Sequence, residues 1–211
     1  MNTVTLITIL KKSVIDWNRY SDELRNLDAV IGDGDMGVTV SIGSRAIVEC
    51  LADPNEEDIG KLLMKCGMQL NKASPSTFGT LLASAFMEAG KAILGRKEIE
   101  IKDLLLVGKG AIEGIKKRGK AEIGDKTMLD SLVPAIETFQ RTLDNNGADY
   151  RAAIEAGVKA SKAGAEATIE MKAKYSRASY RQDGGVGVQD AGATAMYRLI
   201  EAFGKNLLAQ I

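Results

Sequence analysis

Apolar residues recur along this chain at steps of three and four, and no run alternates with polar residues at a step of two. From 3 to about 20, Leu6, Ile7, Leu10, Val14 and Trp17 form the stripe of an amphipathic helix. A second helix is expected over 37–51, broken by Asp53-Pro54, and a third from about Asn55 that aligns Ile59, Leu62, Leu63, Cys66 and Leu70. Pro75 cannot occupy a helix interior, so the polar run 71–79 is a loop that opens a fourth helix through Leu82, Phe86, Ala89 and Ile93. A fifth carries Ile101, Leu104, Leu105, Ile112 and Ile115 and is weakened by Gly108, Gly110 and Gly114. Asp125 reads as the N-cap of a sixth helix with Met128, Leu129, Leu132, Val133, Ile136, Phe139 and Leu143, stopped by Asn145-Asn146-Gly147. An alanine-rich seventh helix covers 149–172, and the last uses Ala193, Met196, Tyr197, Ile200 and Phe203.

This pattern predicts an all-α protein: eight helices, each about 20 to 35 Å long at 1.5 Å per residue, in an antiparallel up-and-down barrel or bundle. One domain over 1–211 accommodates it. The loops 28–37, 71–79, 116–127 and 175–192 lead into the second, fourth, sixth and eighth helices. Up-and-down topology gathers all four at one end, as a single site would require, although helix-joining loops are polar in any case.

Composition narrows the function. Lys+Arg and Asp+Glu balance at 28 each, which gives no electrostatic argument for a nucleic acid or an anionic membrane as partner. No stretch reaches about 18 uninterrupted apolar residues, and Met1-Asn2-Thr3-Val4 lacks the basic region of a signal peptide, so a cytoplasmic location is expected. Cys50 and Cys66 lie in apolar helical patterns without metal-ligand spacing and read as reduced, buried thiols. The chain has no histidine, which excludes any imidazole base, nucleophile or ligand of its own.

Chemistry concentrates between Leu27 and Gly37, where Asp28, Asp33 and Asp35 fall within eight residues. Mg²⁺ takes oxygen ligands and keeps waters or substrate phosphates in its other positions, so compact carboxylates suit a nucleotide-phosphate site. Gly32, Gly34 and Gly37 let the backbone fold around an ion. An EF-hand is excluded: counted from Asp33, the sixth position is Val38 rather than Gly and the twelfth Ser44 rather than Glu. The bland alternative is a polar turn between helices. Likewise the 116–127 loop reads either as a phosphate cradle or as a solvated basic face, Arg177 as a phosphate ligand or a surface charge, and Asp190 as a site residue or a helix cap.

Taken together, Asp28 to Asp35, Arg118-Gly119-Lys120-Ala121-Glu122 with Gly124-Asp125-Lys126-Thr127-Met128-Leu129-Asp130, Arg177-Ala178-Ser179-Tyr180 and Gln189 to Thr194 resemble the L subunits of dihydroxyacetone kinases. The resemblance covers nearly the whole chain in the family's order, and implies an eight-helix antiparallel barrel with ADP or ATP and two Mg²⁺ ions at one end. It makes Asp28, Asp33 and Asp35 the metal ligands. It places Met36, Gly37, Thr39, Ala73, Ser74, Gly119, Met128, Arg177, Asp190 and Gly192 around the nucleotide, with no catalytic residue of the chain's own. It also implies a separate K subunit that holds the ketose through its own histidine, and a phosphoryl-carrier protein of the phosphotransferase system in those members that retain ADP. A homodimer is expected.

The chain departs from the family pattern at Met36 and Val188, where His is usual, at Thr39, where Asn is usual, and at Ser74-Pro75, where Ser-Gly is usual. Two other readings therefore stand beside a ketose-kinase subunit: a nucleotide-binding regulatory module without turnover, and a subunit acting on another small ketose. The related nucleotide domain of fatty-acid kinases fits the Gly124 to Met128 and Arg177 to Tyr180 elements less well.

Overall fold

Helix caps divide the chain almost as the periodicity predicts, with one addition. In the computed structural model, which describes residues 1–52, 56–147 and 149–211, α1 (Thr3–Asn18) starts at Asn2, whose side chain accepts from the Thr5 N–H. It stops at Arg19, and Ser21–Ile31 forms a separate helix, α2. Only Leu24 and Ile31 of α2 are buried, an apolar signal too thin for the periodicity to register. Then follow α3 (Met36–Cys50), α4 (Ile59–Ala73), α5 (Thr77–Ala92), α6 (Leu104–Gly119), α7 (Leu129–Asn146), α8 (Tyr150–Ala167) and α9 (Ala191–Leu208). Short 3₁₀ turns occupy Ile101–Asp103, Thr168–Glu170 and Arg177–Tyr180. The expected break at Asp53-Pro54 and the helix start at Asn55 lie outside the described residues.

The all-α expectation holds: among the described residues there is no strand, only an isolated antiparallel bridge between Asn2 and Glu98. α1 packs on α3, each of α3 to α8 packs on the next, and α9 returns to α1. That closes a ring of eight staves, and α2 is the ninth helix, lying against α3 and α9. No described helix is long and apolar enough to cross a membrane.

The ring's interior is the core. Val14, Trp17, Ile47, Leu62, Leu82, Ile115 and Leu129 are buried there, and the Trp17 indole N–H donates to the Ala195 carbonyl at 2.8 Å. An apolar cavity of ≈ 230 Å³ runs between Leu63, Phe86, Ile136, Ile154 and Phe203. On the α4–α5 seam, a Cβ at Gly60 would lie 2.5 Å from the Gly90 carbonyl oxygen, so the two backbones meet where neither has a side chain. Gly114 does the same for α6 against Ser84 on α5. Glycines expected to weaken the fifth helix therefore permit its close packing.

One cap differs from expectation. Asp125 does not cap the helix that follows; α7 begins at Leu129, and the Asp125 carboxylate accepts instead from the Glu122 N–H at 2.8 Å. Among the described residues no side chain caps α7; Asp130, in its first turn, reaches back to the preceding loop and accepts from the Gly124 N–H at 2.5 Å and the Thr127 N–H at 2.6 Å. The signal was present in the sequence: an aspartate three residues after Thr127 is a turn former whose side chain reaches back to free amides.

Candidate metal and nucleotide site

The acidic loop is built by a helix end and a helix start. Asp28 lies in the last turn of α2, Gly32 ends that helix, and Asp33 to Asp35 turn the chain into α3. Gly34, at φ +75°, makes this turn possible. The Asp28 carboxylate accepts from the Met36 N–H at 3.3 Å and so ties α2 to the first turn of α3. One ligand oxygen from each of Asp28, Asp33 and Asp35 lies within 4.8 Å of the others.

Electrostatics sharpen this group. Burial first, then the negative charge of Asp33, pushes the Asp28 carboxyl above the ordinary carboxylate range, while the Met36 amide opposes the shift. Asp35 is also raised, by burial and by Asp33 and Asp28, with Arg177 opposing. Among the described residues, one ion pair reaches the three carboxylates: Arg177 Nη2 lies 2.6 Å from Asp33 Oδ2. A hard divalent cation matches this donor set, since it would answer the excess charge with oxygen ligands alone.

The other predicted residues converge from three more loops. Thr39 in the first turn of α3 donates its hydroxyl to Ser76 at 3.0 Å, and Ser76 caps α5 by accepting from the Gly79 N–H at 3.0 Å. Ser74 is buried at the end of α4. At Gly192, in the first turn of α9, a Cβ would lie 3.1 Å from Asp190 Oδ2 and 3.7 and 3.8 Å from Phe78 of α5 and the Met128 amide ahead of α7, so these elements meet closely there. Asp190 caps α9, accepting from the Ala193 N–H at 2.7 Å; burial pushes its carboxyl up to about 6. Gly119 ends α6, and the next carbonyl, Lys120, accepts from the Tyr175 hydroxyl at 2.8 Å, joining that loop to the segment bearing Arg177.

The starts of α3, α5, α7 and α9 thus gather at one end, as the alternation of polar loops predicts. Their free N–H groups and aligned dipoles favour an anion beside the carboxylate group. Two expected site residues differ in exposure. Met36 is 8% exposed, packed in the core, and offers the site its amide rather than its side chain. Ala73 is exposed at the end of α4. Val188, also a departure from the family pattern, packs on the small cluster of Ile31, Ala173 and Ala178. Sequence reasoning missed α2 as Asp28's support, and it missed the burial of Lys126 and Asp130, each 1% exposed.

Comparison with known proteins places the chain in a family. The model of the DAK2 domain family matches residues 30–205. The ADP-binding subunit DhaL of the PEP-dependent dihydroxyacetone kinase of Escherichia coli is 34% identical over 203 residues, covering 92% of this chain and 96% of the relative. The ADP-binding subunit DhaL of PEP-dependent dihydroxyacetone kinase 2 of Listeria innocua is 36% identical over 188 residues, covering 88% and 86%. The dihydroxyacetone kinase of C. freundii, solved in complex with AMP-PNP and Mg²⁺, shares the fold with a TM-score of 0.73 at 23% identity; the match covers 97% of this chain and 34% of that one. Matched by the family model over most of its length and by these relatives over nearly all of it, the chain belongs to the DAK2 domain family.

Proposed function

We propose that this chain is the nucleotide-binding subunit of a dihydroxyacetone-type kinase, carrying a phosphoryl group on ADP or ATP and passing it to a small ketose held by a separate K subunit. The observation that carries the reading is the convergence of Asp28, Asp33, Asp35 and Arg177 with the starts of four helices. The three carboxylates are the residues that would hold Mg²⁺, and two ions with ADP match the family's chemistry. Bound magnesium would neutralise charge developing on the phosphates. The helix amides hold phosphate oxygens, Arg177 exchanges its ion pair with Asp33 for a phosphate, and Gly192 brings the start of α9 close to Met128 and Phe78 beside the nucleotide.

The proposal further assigns Gly37, Thr39, Ser74, Gly119 and Asp190 to the nucleotide's surroundings. It treats 1–211 as one domain and places it in the cytoplasm as a homodimer. A phosphoryl-carrier protein of the phosphotransferase system is the donor if ADP stays resident.

A chain without histidine cannot capture a ketose as that K subunit does, so the attacking hydroxyl must be positioned by the partner. Alone with ATP, Mg²⁺ and dihydroxyacetone the chain will show no substantial turnover, and adding the ketose-binding subunit, with the carrier protein if ADP is resident, will restore transfer. Robust phosphorylation by the isolated chain would overturn the split site. Native mass spectrometry tests the cofactor set separately: ADP with two magnesium ions marks a resident cofactor, and an empty chain that binds ATP reversibly marks an exchanging kinase.

A further inference from the structure

Three hydrogen bonds meet on one buried ammonium. Lys126 is 1% exposed, and its Nζ donates to the carbonyls of Thr168 at 2.7 Å, Gly185 at 2.8 Å and Val188 at 2.6 Å. An ammonium has three donors and no acceptor, so these bonds use its whole capacity. Among the described residues no carboxylate pairs with it. Carbonyl oxygens take all three of its hydrogen bonds, with the charges of Asp190 and Asp183 acting from further off, which ties the carbonyl positions to the lysine.

The three acceptors bracket one excursion of the chain. Thr168 follows α8, Gly185 and Val188 precede α9, and the segment between them carries Arg177. Other bonds close the same loop: the Gly187 N–H donates to the Ile169 carbonyl at 2.8 Å, the Ala173 N–H to Gly184 at 2.9 Å, and the Asp190 N–H to the Thr168 hydroxyl at 2.9 Å. Lys126 itself is held from the other side. Its φ of +61° is a left-handed conformation rare outside glycine, and the Asp130 carboxylate fixes the turn through the Gly124 and Thr127 amides. The lysine therefore joins the start of α7 to both ends of the excursion that delivers Arg177 to Asp33 and Asp190 to α9.

We infer that Lys126 is a positioning residue of the nucleotide site: it sets the Arg177 segment and the start of α9 against the start of α7, and acts on nucleotide affinity through Arg177 without touching the ligand. This role rests on the reading that Mg·nucleotide occupies this end of the barrel. An apolar residue would serve if the turn only needed packing, but the carbonyls of Thr168, Gly185 and Val188 would then lose the ammonium they share, Thr168 and Gly185 keeping only the Met171 and Val188 amides, and the excursion its fixed base.

Calorimetric titration with Mg·ADP of the unaltered chain, Lys126→Met, Arg177→Ala and the double variant tests it. Lys126→Met, close in shape but without donors, is expected to weaken Mg·ADP binding at least tenfold while Mn²⁺ binding to the aspartates without nucleotide stays within twofold. Arg177→Ala is expected to weaken Mg·ADP binding in the unaltered chain and to add less than twofold on top of Lys126→Met, because the arginine is already misplaced there. Equal Mg·ADP affinity in Lys126→Met, or two losses that multiply independently, would overturn the role alone. Absence of Mg·ADP binding by the unaltered chain would overturn the functional reading and the role with it. Should Lys126→Met fail to fold, hydrogen exchange of the unaltered chain decides: Mg·ADP slows the Ala173, Gly184 and Gly187 amides together at least tenfold, and unchanged exchange at all three refutes the inference.

Discussion

Two groups of charged residues stand at the same end of the barrel and differ in what answers their charge. At the turn before α7, Asp130 receives two backbone amides and Lys126 gives three hydrogen bonds to carbonyls, and both side chains are buried. At the α2–α3 turn, one ion pair among the described residues reaches the three carboxylates, and burial with mutual repulsion raises Asp28 and Asp35. The first group is satisfied within the chain and fixes backbone. The second carries an excess of negative charge that a bound cation would answer, and that difference, more than residue type, distinguishes scaffold from candidate site.

The largest effect expected from this contrast is on binding. Asp33→Asn removes charge from the carboxylate group with little change of shape, and should weaken Mg·ADP at least about 100-fold, roughly 2.7 kcal/mol, with the unfolding midpoint nearly unchanged. Titration calorimetry beside thermal unfolding reads both, and a large loss of stability would put Asp33 among the scaffold residues. Asp130→Ala should do the reverse. It strands two amides at a cost of about 3 kcal/mol, measured by urea unfolding, and metal binding to Asp28, Asp33 and Asp35 should survive wherever the protein remains folded.

Both groups come from stretches the sequence marks, yet only one was legible as a site. The carboxylates announce themselves because three acids crowd a glycine-rich run whatever the tertiary structure. Lys126 and Asp130 do not, since a lysine between two polar residues looks like a surface charge until the chain from 168 to 188 folds over it. The ring of eight staves was readable from periodicity because each stave has a strong apolar stripe, whereas α2, polar around most of its surface, was not. The resemblance places Met36 beside the nucleotide, whereas its side chain is buried in the core, a property that one position in a glycine-rich run does not reveal.

That placement of Met36 yields a third test. A residue 8% exposed among apolar neighbours should not tolerate imidazole, so Met36→His is expected to cost about 1 to 3 kcal/mol in urea unfolding. Unchanged stability with tighter Mg·ADP binding would instead return position 36 to the nucleotide pocket.

The smallest expected effect concerns pH. Asp190 has its carboxyl raised to about 6 by burial, from an ordinary value of 3.8. The folded chain therefore holds this proton more tightly than the unfolded one, so the group's contribution to stability is full below about pH 4 and is lost as pH rises through about 6. Asp190→Asn keeps an N-cap and removes the titration. The melting temperature of the Asn variant minus that of the unaltered chain should rise between pH 4 and pH 6, and a difference that is flat or falls over that interval would show that Asp190 is not raised.

The central claim is that the unanswered carboxylates bind nucleotide through metal, and titration of ADP into the unaltered chain with Mg²⁺ and then with excess chelator tests it most directly. Saturable binding with Mg²⁺ that also raises the melting temperature is expected, since a ligand at one hundred times its Kd stabilises a fold by about 2.7 kcal/mol. In chelator both the binding and the thermal shift should disappear. Binding of equal strength with and without the metal would contradict the account.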